Sequence, residues 1–293
     1  MTIFDNNIDQ KILRNIEKFR PIDDAFMREL FRNDIPLVQR ILRIIMDIED
    51  LQIISSETQY DLKRLLGSRS LCLDVIATDS KGKIFNIEIQ RSNEEAKPQR
   101  ARYHSSAIDI EFLKAKSDFK ELPVSYVIFI TENDIIGDNR LIYHYEWQEI
   151  ETNKPLNDGA HIIYVNSSYN NKDDTSELSK LAHDFLCADP NKMYIKELAD
   201  KTRYFKSTVE GVNNMCQIME DFRDEITADV TKKVTQEVTA DVTKKVTEDV
   251  TKKNNSQTAV KLLEKKMGTF EDISEITGLS IDEIKELAEK INN

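Results

Sequence analysis

The alternation of apolar and polar positions divides the chain into a mixed α/β portion followed by a helical one. Phe26, Leu30, Phe31, Val38, Ile41, Leu42 and Ile45 recur at helical spacing. Residues 22–50 are therefore expected to be helical, with Pro36 breaking or restarting the helix. After a polar stretch the period changes to two. Leu71-Cys72-Leu73-Asp74-Val75-Ile76-Ala77 runs to a turn signal at Asp79-Ser80-Lys81-Gly82, and Ile84-Phe85-Asn86-Ile87-Glu88-Ile89-Gln90 runs away from it. This predicts a β-hairpin. Gln52–Tyr60 fits a strand ahead of it. From Asn93 to Lys116 the pattern is helical again, with Pro98 near the start, where a missing N–H is tolerated. Leu122–Thr131, rich in β-branched and aromatic residues, reads as a buried strand, and Ile142–Trp147 and His161–Val165 as two more. The expected order is αβββαβ with accessory strands.

Beyond about residue 175 the pattern is helical. Leu178, Leu181, Phe185, Ile195, Leu198, Val209 and Met215 outline a helical subdomain ending near Phe222. A repeat follows, Asp229-Val-Thr-Lys-Lys-Val-Thr-Gln-Glu-Val-Thr-Ala, nearly recurring from Asp241 and placing Val230, Val234, Val238, Val242, Val246 and Val250 every four residues. A four-residue repeat drifts by about 40° per step on a straight helix, so the valines share no single face. The segment is either a right-handed supercoil or a weakly structured linker, and the mediocre helix propensity of Val and Thr favours the linker. Thr258–Ile291 regains helix chemistry: Thr269 and Ser280 are natural N-caps, Ser280 with Glu283 makes a capping box, and Gly278 separates two helices. The outline suits half of a helix-turn-helix. Asp282, Glu283, Glu286 and Glu289 make its last helix acidic, which favours protein contact over DNA reading. The boundaries drawn are an N-terminal segment 1–20, an α/β core 21–170, a helical subdomain 171–222, the repeat 223–255 and a C-terminal helix pair 256–293.

Composition narrows the chemistry. The 293 residues include 41 Lys and Arg against 53 Asp and Glu, a net charge of -12. That balance argues against non-specific coating of nucleic acid or anionic membrane, though not against a local basic groove. Seven glycines form neither G-x-G-x-x-G nor a P-loop. Cys72, Cys187 and Cys216 lie far apart with no C-x-x-C spacing, so they are expected to be buried structural thiols. His104, His144, His161 and His183 include no i, i+4 pair. No apolar run approaches the ~18 residues of a membrane helix, and Met1–Gln10 lacks the pattern of a signal peptide. The expectation is a cytoplasmic protein with no membrane partner.

Asp74 interrupts an apolar strand, and Glu88 and Gln90 share a face of the next one. With the turn near Ser80–Lys81, Asp74 and Glu88 lie at matching distances from it, so both carboxylates can converge on one point. Two converging carboxylates suit a hard cation such as Mg2+ or Mn2+. Spacing alone also fits the solvent face of an amphipathic hairpin. Cys72 and Ile76 nevertheless flank Asp74 on that face, and a carboxylate among apolar neighbours needs a reason.

Asp74 followed by Glu88-x-Gln90 resembles the PD-(D/E)xK nuclease core, and more closely the bacterial Rpn-type family of PD-(D/E)xK nuclease family transposases. The resemblance rests on Asp24-Ala25-Phe26, Leu73-Asp74-Val75-Ile76-Ala77-Thr78-Asp79, Asn86-Ile87-Glu88-Ile89-Gln90, Arg100-Ala101-Arg102-Tyr103-His104-Ser105-Ser106 and Tyr126-Val127-Ile128-Phe129-Ile130. It covers about residues 20–220, and the C-terminal Ile276-Thr277-Gly278-Leu279-Ser280 also looks like tails of that family. It implies a restriction-endonuclease-like α/β core with a helical extension, acting on DNA as a metal-dependent endonuclease in recombination or mobile elements. Asp74, Glu88 and the carbonyl of Ile89 would hold Mg2+ or Mn2+. Gln90 takes the place of the motif's lysine, able to orient a water but carrying no charge. Asp24 or Glu29 on the first helix is a candidate further acidic group.

From Arg91 to Lys116 six cations face four carboxylates, a local net of +2 in a chain of -12. Arg91, Arg100, Arg102 and Tyr103 are therefore the candidate nucleic-acid contacts, and a solvated helix face laced with ion pairs is the competing account. A second basic patch, Lys201–Lys206, reads as ordinary helix surface. The alternative function is a nucleic-acid-binding protein, or an oligomeric interaction protein, that keeps the nuclease fold without efficient catalysis. Self-association as a homodimer or higher oligomer through the C-terminal region fits either function.

Overall fold

The structure, a computed structural model, describes residues 10–62 and 71–292. The first nine residues, and with them most of the segment read for a signal peptide, lie outside the described residues. The chain divides into two compact units, residues 1–221 and 222–293.

In the first unit, helices α1 (Gln10–Lys18), α2 (Asp24–Phe31) and α3 (Ile35–Met46) precede strands β1 (Ile53–Asp61), β2 (Cys72–Asp79) and β3 (Ile84–Gln90). Helix α4 (Pro98–Phe112) crosses over to β4 (Ser125–Thr131), and β5 (Ile142–Tyr145) and β6 (Ala160–Asn166) complete a six-stranded sheet of order β1-β2-β3-β4-β6-β5. Helices α5 (Glu177–Leu186) and α6 (Lys196–Ser207) follow. The break expected at Pro36 falls between α2 and α3, where Asp34 caps α3 by accepting the Leu37 N–H at 3.0 Å.

Every residue of β3 and β4 is buried, because helices cover both faces of this mixed sheet. On one face Phe85, Ile87 and Ile128 pack against Phe26, Ile41, Phe185 and Phe205 of the surrounding helices. On the other, Ile84, Val127, Phe129 and Tyr164 pack against Ala101 and Ile108 of α4. A one-residue slip of β3 would exchange these two sets, so the register is strongly specified. Strands β3 and β4 are parallel, joined through α4, and β2 and β3 form the expected hairpin. Its turn is tied by Asp79, whose Oδ1 accepts the N–H groups of Lys81 and Lys83, each at 2.8 Å, and Gly82 supplies a φ of 79°.

Two expectations are corrected. Cys72 is exposed, and Cys187 and Cys216 are half-buried; Cys72 begins an edge-proximal stretch of β2 rather than its covered centre. The valine repeat is not an irregular linker but part of one helix, α7 (Val209–Glu264). Thr227, Thr231, Thr235 and Thr247 donate their hydroxyls to the carbonyl four residues back, as Thr231 does to Thr227 O at 2.7 Å. Val230, Val234, Val238, Val242, Val246 and Val250 are 51–55 % exposed. In the second unit, Ala259, Ile273, Leu279 and Ile284 form a small core with α8 (Phe270–Thr277) and α9 (Ile281–Asn292). Thr269 caps α8 in a capping box, and Gly278 ends it at φ 67°.

The helical end of the first unit hangs on Asp184. Its fully buried carboxylate accepts the N–H of Tyr194 at 2.9 Å and of Ile195 at 2.7 Å, which fixes the entry to α6. Asp184→Ala strands the buried Ile195 donor and frees that of Tyr194, and urea unfolding is expected to show a loss of about 1–3 kcal/mol.

Candidate active site

The site forms where the central hairpin stops being a ladder. Strands β2 and β3 pair from Thr78 opposite Ile84 to Val75 opposite Ile87 and no further. The next pair in that register would be Asp74 and Glu88. Side-chain oxygens take over there: Asp74 Oδ2 accepts the Ile89 N–H at 2.9 Å, and Glu88 Oε1 accepts the Asp74 N–H at 3.2 Å. On the other side of β2, pairing steps from Thr58 opposite Val75 to Tyr60 opposite Leu73, passing over Gln59 and Asp74. Gln59 has a φ of 55°, a left-handed conformation that is unusual for its residue type and confined to this interruption.

Glu88 is fully buried and braced from α4. Asn86, two residues earlier on the same face, donates to Glu88 Oε1 at 2.8 Å and to Val75 O at 3.3 Å. His104 Nδ1 lies 3.2 Å from Asn86 Oδ1 and 3.4 Å from Glu88 Oε1. Arg100, one turn earlier, donates through Nε to His104 Nε2 at 3.3 Å and brings Nη2 to 4.0 Å from Glu88 Oε2. Glu88 Oε2 itself is buried with no hydrogen bond among the described residues. Burial, and then the charge of Glu88, push the Asp74 carboxyl well above the usual aspartate range, with Asp24 adding to the rise. The Ile89 N–H and Arg100 oppose it only in part.

The other candidates are placed unequally. Asp24 opens α2 close enough to act on Asp74 through its charge, while pairing with Arg28 at 3.1 Å. Glu29 turns elsewhere, 2.7 Å from Arg32, with Lys201 also acting on it. Gln90 is nearly buried and ends β3 opposite Thr131. Arg91 joins an ion-pair network, 3.2 Å from Asp23 and 3.1 Å from Glu132, both of which also bind Arg20. Arg100 serves Glu88 and pairs with Glu95 at 3.4 Å. Arg102 lines a separate groove beside Trp147, and Tyr103 is exposed on α4. In the second basic patch Lys201 pairs with Asp34 at 2.7 Å, and Lys206 caps the carbonyls of Phe19 and Ala188. Burial brings Lys206 down to about 8.

Sequence reasoning missed Asn86 and His104 as members of the site. Their signals are an Asn two residues before Glu88 on one strand face, and Arg100-x-x-x-His104 at one helical turn.

A mixed sheet flanked by helices, with an acidic pair at the open end of its central hairpin, is consistent with a PD-(D/E)XK-like fold. The family model described as PD-(D/E)XK nuclease family transposase matches residues 34–186, more than half of the chain, and the protein belongs to that family. No curated protein and no solved structure matches the chain. Nucleases of this class generally use divalent metals and act on DNA. Among the described residues no helix is long and apolar enough to cross a membrane.

The donor set fits a hard divalent cation of the kind that keeps several waters. Among the described residues no group of three or more His, Cys, Asp and Glu side chains is arranged around one point. Mg2+ is commonly held by one or two carboxylates with water completing the shell, so a pair suffices. The orphaned Glu88 Oε2 is the observation that favours such a ligand. Asp74 Oδ2 is occupied by the Ile89 N–H, which leaves Oδ1 for a further partner.

A carboxyl whose pKa is raised on folding adds stability at acid pH that is lost as pH rises through the folded value. Without a cation, Asp74→Asn is therefore expected to melt higher than the unaltered protein near pH 7–8. The two melting curves should converge as pH falls through the ordinary carboxylate range. Equal melting temperatures across that span would show that Asp74 carries no such burden.

Proposed function

We propose that the protein is a divalent-metal-dependent DNA endonuclease of the PD-(D/E)XK type, hydrolysing phosphodiester bonds in recombination or in the movement of mobile elements. The observation that carries this reading is the opened strand end, where Asp74 accepts the Ile89 N–H, Glu88 Oε1 accepts the Asp74 N–H, and the buried Glu88 Oε2 is left without a hydrogen bond among the described residues. Asp74 and Glu88, with the carbonyl of Ile89, would hold Mg2+ or Mn2+. In a strand the N–H and C=O of one residue point to the same edge, and the Ile89 N–H points to Asp74. Gln90 O points the opposite way, to the Glu132 N–H at 3.0 Å. The bound ion supplies Lewis-acid polarisation of the phosphate and a lowered pKa for the attacking water.

The chain's own groups position the rest. Gln90 orients the water through its amide, without the charge that a lysine would add. Asn86, His104 and Arg100 hold Glu88 in place from behind, as outer partners of metal ligands commonly do. Asp24 adds negative potential at the mouth of the site. Arg91, Arg102 and Tyr103 act as secondary contacts to the nucleic acid.

Purified protein with Mg2+ or Mn2+ is expected to nick or linearise supercoiled plasmid, and Asp74→Ala and Glu88→Ala to abolish it. Activity that survives both substitutions would place the chemistry elsewhere. A second reading, a binding protein on the nuclease fold, is favoured by one observation, Gln90 in the lysine position. It predicts salt-dependent DNA binding with no cleavage under either metal, and cleavage enhanced by Gln90→Lys excludes it.

The half-exposed valine row of α7 fits self-association of the C-terminal region. Deleting residues 229–253 is then expected to lower the mass measured by light scattering, and an unchanged mass removes this role.

A further inference from the structure

On the far side of α4 from the carboxylates lies a groove of about 580 Å³, within the size range of small-molecule sites. It runs between α4 and the β5–β6 edge. Its walls include Arg102 and Asp109 from the helix, and Tyr145, Trp147, Asp158 and Tyr164 from the sheet side. Trp147 is 60 % exposed, a large apolar surface left to solvent beside a concavity. Tyr164 is only 2 % exposed, yet its hydroxyl has no hydrogen-bond partner among the described residues. Its ring is held rigidly, stacked on Phe129 at 5.4 Å and met edge-on by Tyr145 at 6.3 Å. A fixed buried hydroxyl without a partner is costly, and Tyr164 carries it in the wall of the groove.

We propose that this groove receives one unstacked nucleobase of a single-stranded segment of the substrate, with the base lying against Trp147. Planar heterocycles stack on aromatic side chains whatever their identity. Asp109 and Asp158 make the walls unsuitable for a phosphate but able to accept from an exocyclic amino group. Burial and then the charge of Asp158 raise the Asp109 pKa, which places the two carboxylates within each other's influence. Arg102 supplies the cation for the neighbouring phosphate. It lies between Arg100 and His104 in sequence, so one helix faces the carboxylate pair with one side and the groove with another. A strand crossing α4 would reach both. This inference rests on the nuclease reading for its substrate and adds a demand for single-stranded character.

Trp147 is the only tryptophan of the chain, so its emission reports on the groove directly. Full-length protein in chelator, where no cleavage occurs, is titrated with dye-free oligo-dA, oligo-dT, the matching duplex and free dAMP. Oligo-dA is expected to quench Trp147, with oligo-dT weaker because thymine lacks an amino group, and the duplex weakest. Asp109→Asn should narrow the dA–dT difference. Trp147→Ala, read by anisotropy of a labelled oligonucleotide, should weaken binding by about 5- to 150-fold, the worth of one base–aromatic stack. Quenching by dAMP as strong as by oligo-dA would overturn the strand and make the groove a mononucleotide site. Binding detected by anisotropy of a labelled oligonucleotide with unchanged Trp147 emission would overturn the groove, as would no binding at all. Plasmid cleavage with an unresponsive Trp147 sinks this inference and keeps the nuclease. A responsive Trp147 in a chain that cuts nothing does the reverse.

Discussion

Past Val75 and Ile87 the central hairpin stops exchanging backbone hydrogen bonds, and the acidic end of the sheet is organised by that interruption. A strand that loses its ladder leaves buried N–H and C=O groups that must find other partners. Asp74 answers the Ile89 N–H and Glu88 answers the Asp74 N–H, so each carboxylate substitutes for a piece of backbone. Each also brings a second oxygen that no backbone group needs. The opening is small because β3 stays fixed on its other side, paired with β4 through Gln90 opposite Thr131. It is shaped on the β1 side by Gln59, whose left-handed backbone falls where the β1–β2 pairing steps over Asp74. Local strain and local acidity coincide at one strand position.

That coincidence explains which parts were legible in the sequence. Period two across Leu71–Ala77 and Ile84–Gln90, with the turn at Asp79–Gly82, gives both strands and their register, because only one register buries both apolar sets. Given the register, Asp74 opposite Glu88 follows by counting from the turn. The end of pairing beyond Val75 does not follow, since nothing in Cys72-Leu73-Asp74 forbids a continued ladder. The support from α4 was hidden for a different reason: helix phase says that Arg100 and His104 share a face, but only the crossover places that face over Glu88. Of the two readings left open for the repeat, the weak helix propensity of Val and Thr favoured the linker, whereas residues Val209–Glu264 form one helix.

Charge follows the same division. The Arg91–Lys116 segment carries a local excess of cations, and simple counting makes it a phosphate-binding face. Three of its members are committed to carboxylates: Arg91 to Asp23 and Glu132, Lys97 to Glu94, Arg100 to Glu95 and toward Glu88. The exposed pairs among them contribute little stability, as surface ion pairs generally do. Their effect is to fix the direction of guanidinium groups beside the acidic site. Arg100 is the clearest case. It stands close enough to temper the Glu88 charge and yet, at 4.0 Å, does not saturate Oε2. A closer bidentate pair would neutralise the carboxylate and leave it a poor partner for anything else.

The same reasoning separates the two sides of α4. Toward β3 the helix presents His104 and Arg100, which hold the Glu88 carboxylate in one geometry. Toward the β5–β6 edge it presents Arg102 and Asp109 to an open groove with exposed aromatic walls, where tolerance matters more than precision. A helix packed through Ala101, His104 and Ile108 cannot rotate to serve one side without disturbing the other, since those three residues anchor it to the sheet.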